Sequence, residues 1–387
     1  MDQGTISVLF ALLRSVICGR KLTEAERILY SPQQLPDLMK IASKHDIGHL
    51  IAYGLSQNAL VPAGDMTFEK PILKAVYRYE RLNFEYGQVC AALEAAKIPF
   101  IPLKGSVLRK YYAEAWMRTS CDIDILVHED DVEKAKSVLM DQLGFSYHGK
   151  GSHDISLFSP ANVHVELHYD LVEQHNADLP SKVLKTVWDT VAPREGFTFW
   201  CEMSDEMYYF YHIAHMAKHF ANGGCGVRPF IDLFILEHIP SADYEKRNKL
   251  LGQGDLLKFA KAACKLSRVW LENEEHDPVS KQLEDYILKG GVYGNATNRI
   301  VVQQQKKGGR VKYALSKIFI PYEVIKFHYP ILQKRRWLTP FMEVRRWFKL
   351  IFCGHLKRTT KELRYNSKVS EDTATNTQNF LRDIGLN

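Results

Sequence analysis

Two aspartates separated by one residue have the clearest chemical potential in this chain. Asp122 and Asp124 lie in the run CDIDILV (121–127), where apolar residues alternate with other residues as in a half-buried β-strand. Both carboxylates then project from the same face of the strand. Two carboxylates held this close repel each other unless a cation lies between them, and Mg²⁺ prefers carboxylates together with substrate phosphates. The pair therefore predicts a divalent-metal site, although a lone Asp-x-Asp is more often a solvated surface pair.

A third carboxylate lies in a later predicted strand. Glu166 belongs to the run NVHVELHYDL (162–171), and its neighbours Val165 and Leu167 would point to the opposite, apolar side. If this strand is next to the Asp-x-Asp strand, Glu166 falls on the same face as the two aspartates. Three carboxylates can hold two metal ions, with Glu166 as general base or as a ligand of the second ion.

A predicted turn before the aspartates suggests a phosphate site. The short apolar run IPFIPL (98–103) reads as a buried strand, and Lys104-Gly105-Ser106 follows it and opens a predicted helix that continues toward Trp116. Backbone N–H groups and a hydroxyl at a helix N-terminus favour an anionic phosphate. Lys104 and Arg109 are near enough in sequence to contact phosphate oxygens. A Gly-Ser pair alone, however, most often forms an ordinary turn that has no role in phosphate binding.

The order of these elements is more specific than any one of them. After the Asp-x-Asp strand comes an amphipathic helix, which begins at Asp130 and Asp131 and ends at Gly144. Two further strands, HDISLFSP (153–160) and NVHVELHYDL, are separated by a turn at Ser159–Asn162. The middle of the chain is therefore predicted to be a small β-α-β-α-β-β unit that brings the turn and the carboxylates together.

This arrangement resembles the DNA polymerase β-type nucleotidyltransferase superfamily. More narrowly, it resembles the bacterial uncharacterised nucleotidyltransferase family, which has a Leu-Lys-Gly turn, an Arg shortly before an Asp-Ile-Asp strand and a final acid-Leu-His strand. The matching residues are Lys104, Gly105, Arg118, Asp122, Asp124, Glu166 and His168. The resemblance is firm over 98–172 and looser over the helical flanks, which include His215, Lys218, His219, Arg228 and Asp232. One departure is Val107-Leu108-Arg109, where the superfamily commonly has a small or basic pattern.

The resemblance implies an α+β fold, with a small mixed-sheet palm flanked by N-terminal and C-terminal helical regions. It also implies Mg²⁺-dependent (or Mn²⁺-dependent) transfer of a nucleotidyl group from an NTP to an acceptor hydroxyl or phosphate. The catalytic and metal-binding residues would be Asp122, Asp124 and Glu166. The nucleotide-binding residues would be Lys104, Gly105, Ser106, Arg109, Arg118, His168, His215, Lys218 and His219.

The His215-x-x-Lys218-His219 cluster allows other interpretations. His215 and His219 lie four residues apart and hence on one helical face. A zinc site would need further ligands, and no HExxH glutamate is present. The histidines could equally be satisfied within helix–helix contacts. The family resemblance favours a helix beside the palm whose positively charged side chains contact the nucleotide or the acceptor.

The rest of the chain predicts helical regions around the palm. The predicted divisions are an N-terminal helical region (1–96, with a long helix from about 72), the palm (97–175), a helical domain (176–302), a basic aromatic helical extension (303–366) and a flexible tail (367–387). Residues 303–312 look like a polar linker. A net charge of +6, scattered cysteines without Cys-x-x-Cys spacing and no signal-peptide features predict a soluble cytoplasmic protein.

The segment 310–364 is the most basic part, with fourteen Lys or Arg against three Glu. Aromatic residues lie among the cations, which is compatible with contact to nucleic acid or to an anionic membrane. The favoured interpretation is a helical layer whose apolar residues pack on the domain while the cations are solvated. Those apolar residues are Trp337, Leu338, Phe341, Trp347, Phe348 and Ile351.

The function predicted from the sequence is therefore nucleotidyl transfer by a two-metal mechanism. Two alternatives stay open: a catalytically silent nucleotide-binding or scaffold protein, and a toxin-like transferase acting on tRNA or protein. The acceptor could be a small molecule, a glycan, a peptide or RNA. No motif identifies the base of the NTP, and ATP is only one of the candidates.

Overall fold

The computed structural model describes residues 2–172, 178–292, 294–320, 322, 325–326, 329–352, 366 and 371–386. The chain divides into two compact units, one made of 1–216 and 226–284 and the other of 217–225 and 285–387. A mixed five-stranded sheet with helices around it confirms the predicted α+β class. Within the described ranges, no helix is both long enough and apolar enough to cross a membrane.

The first unit opens with helices, continues with the sheet and ends with more helices. The opening helices are α1 Gln3–Ile17, α2 Glu24–Ile28, α3 Leu35–Lys44, α4 Gly48–Gln57 and α5 Met66–Ala95. The sheet region contains β1 Phe100–Pro102, α6 Gly105–Leu108, β2 Asp122–Val127, α7 Val132–Leu143, β3 Ser146–Lys150, β4 Asp154–Phe158 and β5 His164–His168. Then follow α8 Leu179–Leu184, β6 Val191–Pro193, β7 Cys201–Met203, α9 Asp205–Phe220, α10 Arg228–Glu237, α11 Tyr244–Gln253, α12 Leu257–Glu272 and α13 Pro278–Lys289. The last residues of α9 and of α13 belong to the second unit.

The sheet has the strand order β1-β2-β5-β4-β3. β2 runs parallel to β5 and antiparallel to β1, while β4 is antiparallel to both β5 and β3. On one face, Ile123, Ile125 and Val127 of β2 join Val165 and Leu167 of β5 in a buried core that α5 and α7 cover. Because side chains alternate along a strand, the remaining residues of β2 and β5 lie on the opposite face.

The helices over the core have well-defined ends. α5 begins at Met66, earlier than the predicted start near 72, because the Asp65 side chain accepts a hydrogen bond from the Thr67 N–H at 2.9 Å. Pro71 lies in its second turn and lacks only the N–H that would bond back to Thr67. α7 ends at Leu143, and Gly144, where the sequence predicted the end, follows in the left-handed conformation with a φ of +68°.

Three strands were not predicted from the sequence. β3 is an edge strand with mostly exposed residues and a bulge between Tyr147 and Gly149, so its sequence lacks the alternation of a half-buried strand. β6 and β7 are three-residue strands that pair with each other. Glu94, near the end of α5, accepts hydrogen bonds from the N–H groups of Phe199 and Trp200 and so fixes the start of β7 beside β1.

The N-terminal helices and the later helices of the first unit share a core. The ring of Phe10 in α1 stacks on Trp270 in α12 with centroids 4.4 Å apart, and Arg14 Nη2 donates to the Trp270 carbonyl at 3.2 Å. Residues 1–96 therefore do not form a compact unit of their own. The division drawn from the sequence placed α1 and α12 in different regions, because nothing local in the sequence shows that these two helices pack together.

The second unit is more helical at two places than the sequence indicated. Its described helices include α14 Ala296–Lys306, α15 Arg310–Ile318, Ile331–Lys334, Thr339–Phe352 and Glu371–Asp383. The predicted polar linker at 303–312 is therefore largely helical. The predicted flexible tail contains the helix Glu371–Asp383, in which Phe380 and Leu381 are buried, and Ile384 just after the helix is buried as well.

The apolar residues of the basic segment do not all pack inward. Trp337 and Phe341 are 68% and 63% exposed, and Phe348 is also more than half exposed. The favoured interpretation of a covered apolar face is therefore wrong for these three side chains. Helical periodicity indicates where an apolar face lies, but it does not say whether another element covers it. Ile351, Lys357, Arg358, Lys361 and Arg364 lie outside the side chains that the structure describes.

Candidate active site

The three predicted carboxylates come from neighbouring strands. In the parallel register of β2 and β5, Asp124 lies opposite Glu166 and Asp122 lies opposite His164. Residues opposite each other on adjacent strands project from the same face. Asp122, Asp124 and Glu166 therefore lie together on the face opposite the apolar core, which meets the condition that the sequence set for Glu166.

Two groups of side chains on this face could each hold a metal ion. Asp122, His164 and Glu166 form one group, and Asp124, Glu166 and His168 form the other. Within each group, one potential ligand atom per residue lies within 4.8 Å of the others. Glu166 belongs to both groups, so the two are adjacent. Carboxylate oxygens suit Mg²⁺ and Mn²⁺, and imidazole nitrogens suit transition-metal ions. The donor set fits a divalent cation.

Asp124 is the most enclosed of the carboxylates, with a side chain that is 3% exposed. Its Oδ1 accepts hydrogen bonds from Lys104 Nζ at 2.7 Å and from His168 Nε2 at 2.9 Å. Burial opposes ionisation of Asp124, but the Lys104 ammonium and the His168 hydrogen bond outweigh it and hold the pKa well below the usual range. For His168, burial lowers the pKa, but the hydrogen bonds to Asp124 and Glu166 raise it above its ordinary value.

Asp122 is in the opposite electrostatic situation. Its pKa is raised, first by burial and then by the negative charge of Asp124, while the Lys104 ammonium partly compensates and Glu166 adds to the repulsion. Ionisation of Asp122 is therefore less favourable in the folded chain alone than it is in water. A bound divalent cation would relieve this repulsion.

His164 is a potential ligand that the sequence reasoning missed. Its Nε2 lies 2.7 Å from Ser156 Oγ on β4, and its Nδ1 lies 3.8 Å from Glu166 Oε1. The ring also stacks on Phe158, with centroids 4.7 Å apart. If Nε2 carries the proton and donates it to Ser156, the Nδ1 lone pair is turned toward the carboxylates, which is how outer hydrogen bonds commonly orient metal-binding histidines. The alternation of His164, Glu166 and His168 in one strand was the available signal.

Lys104 lies in a strained turn between β1 and α6. Its φ of +46° is in the left-handed region that side chains other than glycine rarely adopt. Both the side chain and the backbone of Lys104 are held in place. Its ammonium bonds Asp124, and its carbonyl accepts a hydrogen bond from the Tyr208 hydroxyl at 2.9 Å. Strain of this kind persists only where surrounding contacts enforce it, and it is concentrated at functional sites.

The helix predicted after Gly105 is a single turn, α6. Arg109 folds back across it, with Nε donating to the Gly105 carbonyl and Nη2 to Ser120 Oγ, both at 3.0 Å. A Cβ on Gly105 would lie 3.1 Å from the Cβ of Ser120, so this close approach favours glycine. Because one turn sums few peptide dipoles, attraction of phosphate here would depend on Lys104 and on local donors. Arg109 is buried, and its phosphate contact stays a prediction.

Arg118 and Asp232 connect the segment before β2 to α10. Arg118 Nε donates to Asp232 Oδ1 at 2.7 Å, and the Tyr112 hydroxyl donates to the same oxygen at 2.6 Å. Arg228, also in α10, donates to the Thr119 carbonyl at 2.8 Å. These contacts hold the chain that leads into the Asp-x-Asp strand, so the geometry gives Arg118 a positioning role. Its predicted nucleotide contact remains untested.

α9 contributes aromatic residues next to the carboxylates. The pKa of Tyr211 is raised by burial; the Lys104 ammonium opposes the shift, whereas the negative charges of Asp124, Glu166 and Asp122 add to it, which indicates that all these groups are near Tyr211. His215, one turn later, has its ring centroid 6.1 Å from that of Tyr211. Lys218 and His219 belong to the second compact unit. The predicted nucleotide contacts of His215, Lys218 and His219 stay predictions.

Comparison with known proteins agrees with this geometry at the level of the family. No curated protein and no solved structure gave a significant match. The sequence model of a family described as uncharacterised nucleotidyltransferase matches residues 31–272, a span that contains the whole sheet, the Lys104 turn and α9 to α12. The chain belongs to this uncharacterised nucleotidyltransferase family.

Proposed function

We propose that this protein transfers an NMP group from an NTP to an acceptor hydroxyl or phosphate, with Mg²⁺ or Mn²⁺ and by a two-metal mechanism. The observation that carries the proposal is the convergence of Asp122, Asp124 and Glu166 on one face of two adjacent strands, beside the Lys104 turn. Membership of a nucleotidyltransferase family supports transferase activity and an NTP as the substrate.

The metal ions would be held by the two groups that share Glu166. Asp122 and His164 would hold one ion together with Glu166, and Asp124 would hold the other together with Glu166. When bound, divalent ions supply Lewis-acid polarisation of the reacting phosphate and neutralise charge on the leaving pyrophosphate. His168 is better placed as a hydrogen-bond donor to Asp124 than as a ligand, because its Nε2 already lies 2.9 Å from Asp124 Oδ1.

The Lys104 turn is proposed to bind the triphosphate. The Lys104 side chain is 27% exposed, so it is partly open to solvent while its ammonium bonds Asp124. The hydroxyl of Ser106 follows two residues later, at the start of α6. An ammonium and a hydroxyl at one turn would orient phosphate oxygens and balance part of their negative charge.

Glu166 is proposed to act on the acceptor. Its side chain is about as accessible as that of Lys104, at 25%, whereas Asp124 is enclosed. Glu166 offers one carboxylate oxygen to each metal group, and the other oxygen of this partly accessible carboxylate can accept the proton of an acceptor hydroxyl as that hydroxyl attacks the α-phosphorus. His168 Nε2, 3.4 Å from Glu166 Oε2, helps to hold that carboxylate in place.

Nucleotide transfer is tested with each of the four NTPs, labelled at the α-phosphate and incubated with Mg²⁺ or Mn²⁺. Candidate acceptors are RNA, peptides and a metabolite extract. We expect pyrophosphate release together with transfer of the α-label, and a loss on the order of a thousandfold in Asp122→Asn and Asp124→Asn.

The matched control is Asp141→Asn, which removes an exposed carboxylate from α7 on the other side of the sheet. It should keep full activity. Activity that survives in both site variants would contradict the assignment of the metal site. Transfer of a γ-label without release of pyrophosphate would contradict nucleotidyl transfer.

A further inference from the structure

The helix Thr339–Phe352 presents a row of large apolar side chains to solvent. Phe341, Val344 and Phe348 follow each other at intervals of three and four residues, which places them on one side of the helix. Trp337 lies just before the helix, in the turn Arg336–Leu338, and its ring is edge-on to that of Phe341 with centroids 6.3 Å apart. All four are more than half exposed. Large apolar residues on protein surfaces are ordinarily scattered singly, and a contiguous row marks an interaction site. We call these four residues the apolar row.

Positive charges surround the apolar row. The exposed cations of this segment are Lys334, Arg335, Arg336, Arg345 and Lys349. The one acidic residue of the sequence between 331 and 349 is Glu343, which is buried, accepts a hydrogen bond from the Ile320 N–H at 2.7 Å and pairs with Arg346 at 2.9 Å. The exposed side of this helix therefore combines apolar area with positive charge and shows no carboxylate between 331 and 349.

The neighbouring helix α15 repeats the pattern. Val311, Leu315 and Phe319 lie at four-residue intervals and are exposed, with the exposed Lys312 beside them. The hydrogen bond between Ile320 and Glu343 ties the end of α15 to the middle of the helix Thr339–Phe352. Two adjacent amphipathic segments of the second unit thus expose apolar residues instead of burying them.

We propose that this surface docks on an anionic membrane, with the helix Thr339–Phe352 lying in the plane of the headgroups. In such an arrangement the apolar residues enter the boundary between headgroups and acyl chains, while Lys and Arg remain at the level of the lipid phosphates. Trp337 stands at the end of the row, and tryptophan favours this interface because one part of its ring system is apolar and its N–H is polar.

The composition of the row favours a lipid surface over nucleic acid. Binding of single-stranded nucleic acid would use aromatic faces for base stacking. Val344, Val311 and Leu315 offer no such face, yet they are exposed in the same two rows. Aliphatic side chains gain free energy by leaving water for hydrocarbon, and the surrounding cations are complementary to a continuous anionic layer.

The experiment is co-sedimentation of the full chain with two kinds of vesicle, pure phosphatidylcholine and an equimolar mixture of phosphatidylcholine and phosphatidylglycerol. We expect binding to the anionic vesicles that weakens as salt is raised, and much weaker binding to the neutral ones. The double variant Phe341→Ser with Phe348→Ser should reduce the affinity for anionic vesicles about a hundredfold, because two phenyl rings no longer enter the membrane.

The matched control is Phe84→Ser, which removes an equally exposed phenylalanine from α5 in the first unit. It should bind vesicles like the unmodified chain. Thermal unfolding of both variants checks that the comparison is between folded proteins. No binding to anionic vesicles, equal binding to both kinds of vesicle, or unchanged binding of the double variant would each overturn the proposal, as would RNA binding that depends on the two phenylalanines while vesicle binding does not.

Discussion

The carboxylate face of the first unit and the apolar row of the second unit depart from ordinary protein surfaces in opposite ways. At the first, a charged side chain, Asp124, is almost fully enclosed and is stabilised by Lys104 and His168. At the second, large apolar side chains such as Phe341 remain in water. Burying a charge and exposing a phenyl ring each cost free energy in the isolated chain. The proposed metal site and the proposed membrane surface would each offset part of this cost.

The largest difference in stability is expected when the two aspartates of the carboxylate face are replaced one at a time. Asp124→Asn removes the charge that Lys104 and His168 share, and it should lower the free energy of unfolding by about 2 kcal/mol. Asp122→Asn removes a carboxyl group whose pKa is raised by burial and by Asp124. Because the folded chain disfavours this charge, the variant should have unchanged or slightly higher stability. Urea unfolding in the presence of a chelator measures both. Equal destabilisation by the two variants would contradict this contrast.

A smaller effect is expected when the imidazole that faces Glu166 is removed. His164→Gln should weaken Mn²⁺ binding by about tenfold, because one ligand of the group with Asp122 is lost or poorly replaced. Ser156→Ala, which removes only the partner of Nε2, should have a weaker effect in the same direction. Calorimetric titration with Mn²⁺ gives the affinities. An unchanged affinity in His164→Gln would exclude this residue as a ligand.

The interaction of His168 with Asp124 should appear as a pH dependence. The pKa of His168 is raised in the folded chain, so its stabilisation is fully present below the unfolded value of about 6.5 and is lost as the pH rises through the folded value. The pKa of Asp124 is depressed, so its contribution is present above its unfolded value and is lost only at strongly acidic pH. The difference in melting temperature between the unmodified chain and His168→Gln, without metal, should be largest near pH 6 and shrink toward pH 9. A difference that grows with pH would contradict the assignment.

The smallest effect is expected at the apolar row. Phe341→Ser should change the free energy of unfolding by less than about 0.5 kcal/mol, because the ring is already in water. Leu381→Ala, at a buried position of the same unit, should cost about 2 kcal/mol or more. Thermal or urea unfolding in the absence of lipid compares the two. A large loss in Phe341→Ser would mean that the row is covered in solution and would weaken the membrane proposal.

The sequence predicted the carboxylate face well because that prediction depends on local rules. Alternation along β2 and β5 decides which side each residue faces, and the parallel pairing of the strands then brings Asp124 opposite Glu166. His164 obeys the same rule, but the predicted site was built from carboxylates and did not include it. Lys104 was assigned to phosphate only, since nothing in a sequence shows that its ammonium reaches Asp124, twenty residues later.

Other features depend on which element covers a surface, and local sequence patterns do not contain that information. β3 has little alternation because it is an exposed edge strand. The helix Thr339–Phe352 has clear helical periodicity, and a covered apolar face was the ordinary expectation, yet its apolar row is exposed. The joining of α1 with α12 through Phe10 and Trp270 depends on a contact between distant parts of the chain.

The ion pair between Lys104 and Asp124 has a consequence for the stability of the proposed metal site when no metal is bound. A carboxylate that already has an ammonium and an imidazole as partners needs no divalent ion to fold, in contrast to small structural zinc domains, whose folding is driven by the metal. A chelator is therefore expected to abolish the proposed activity reversibly without unfolding the protein. Under the proposed function, the lysine would act as a resident counter-ion that keeps the site assembled when neither metal nor nucleotide is bound, so the chain would stay folded when metal is scarce.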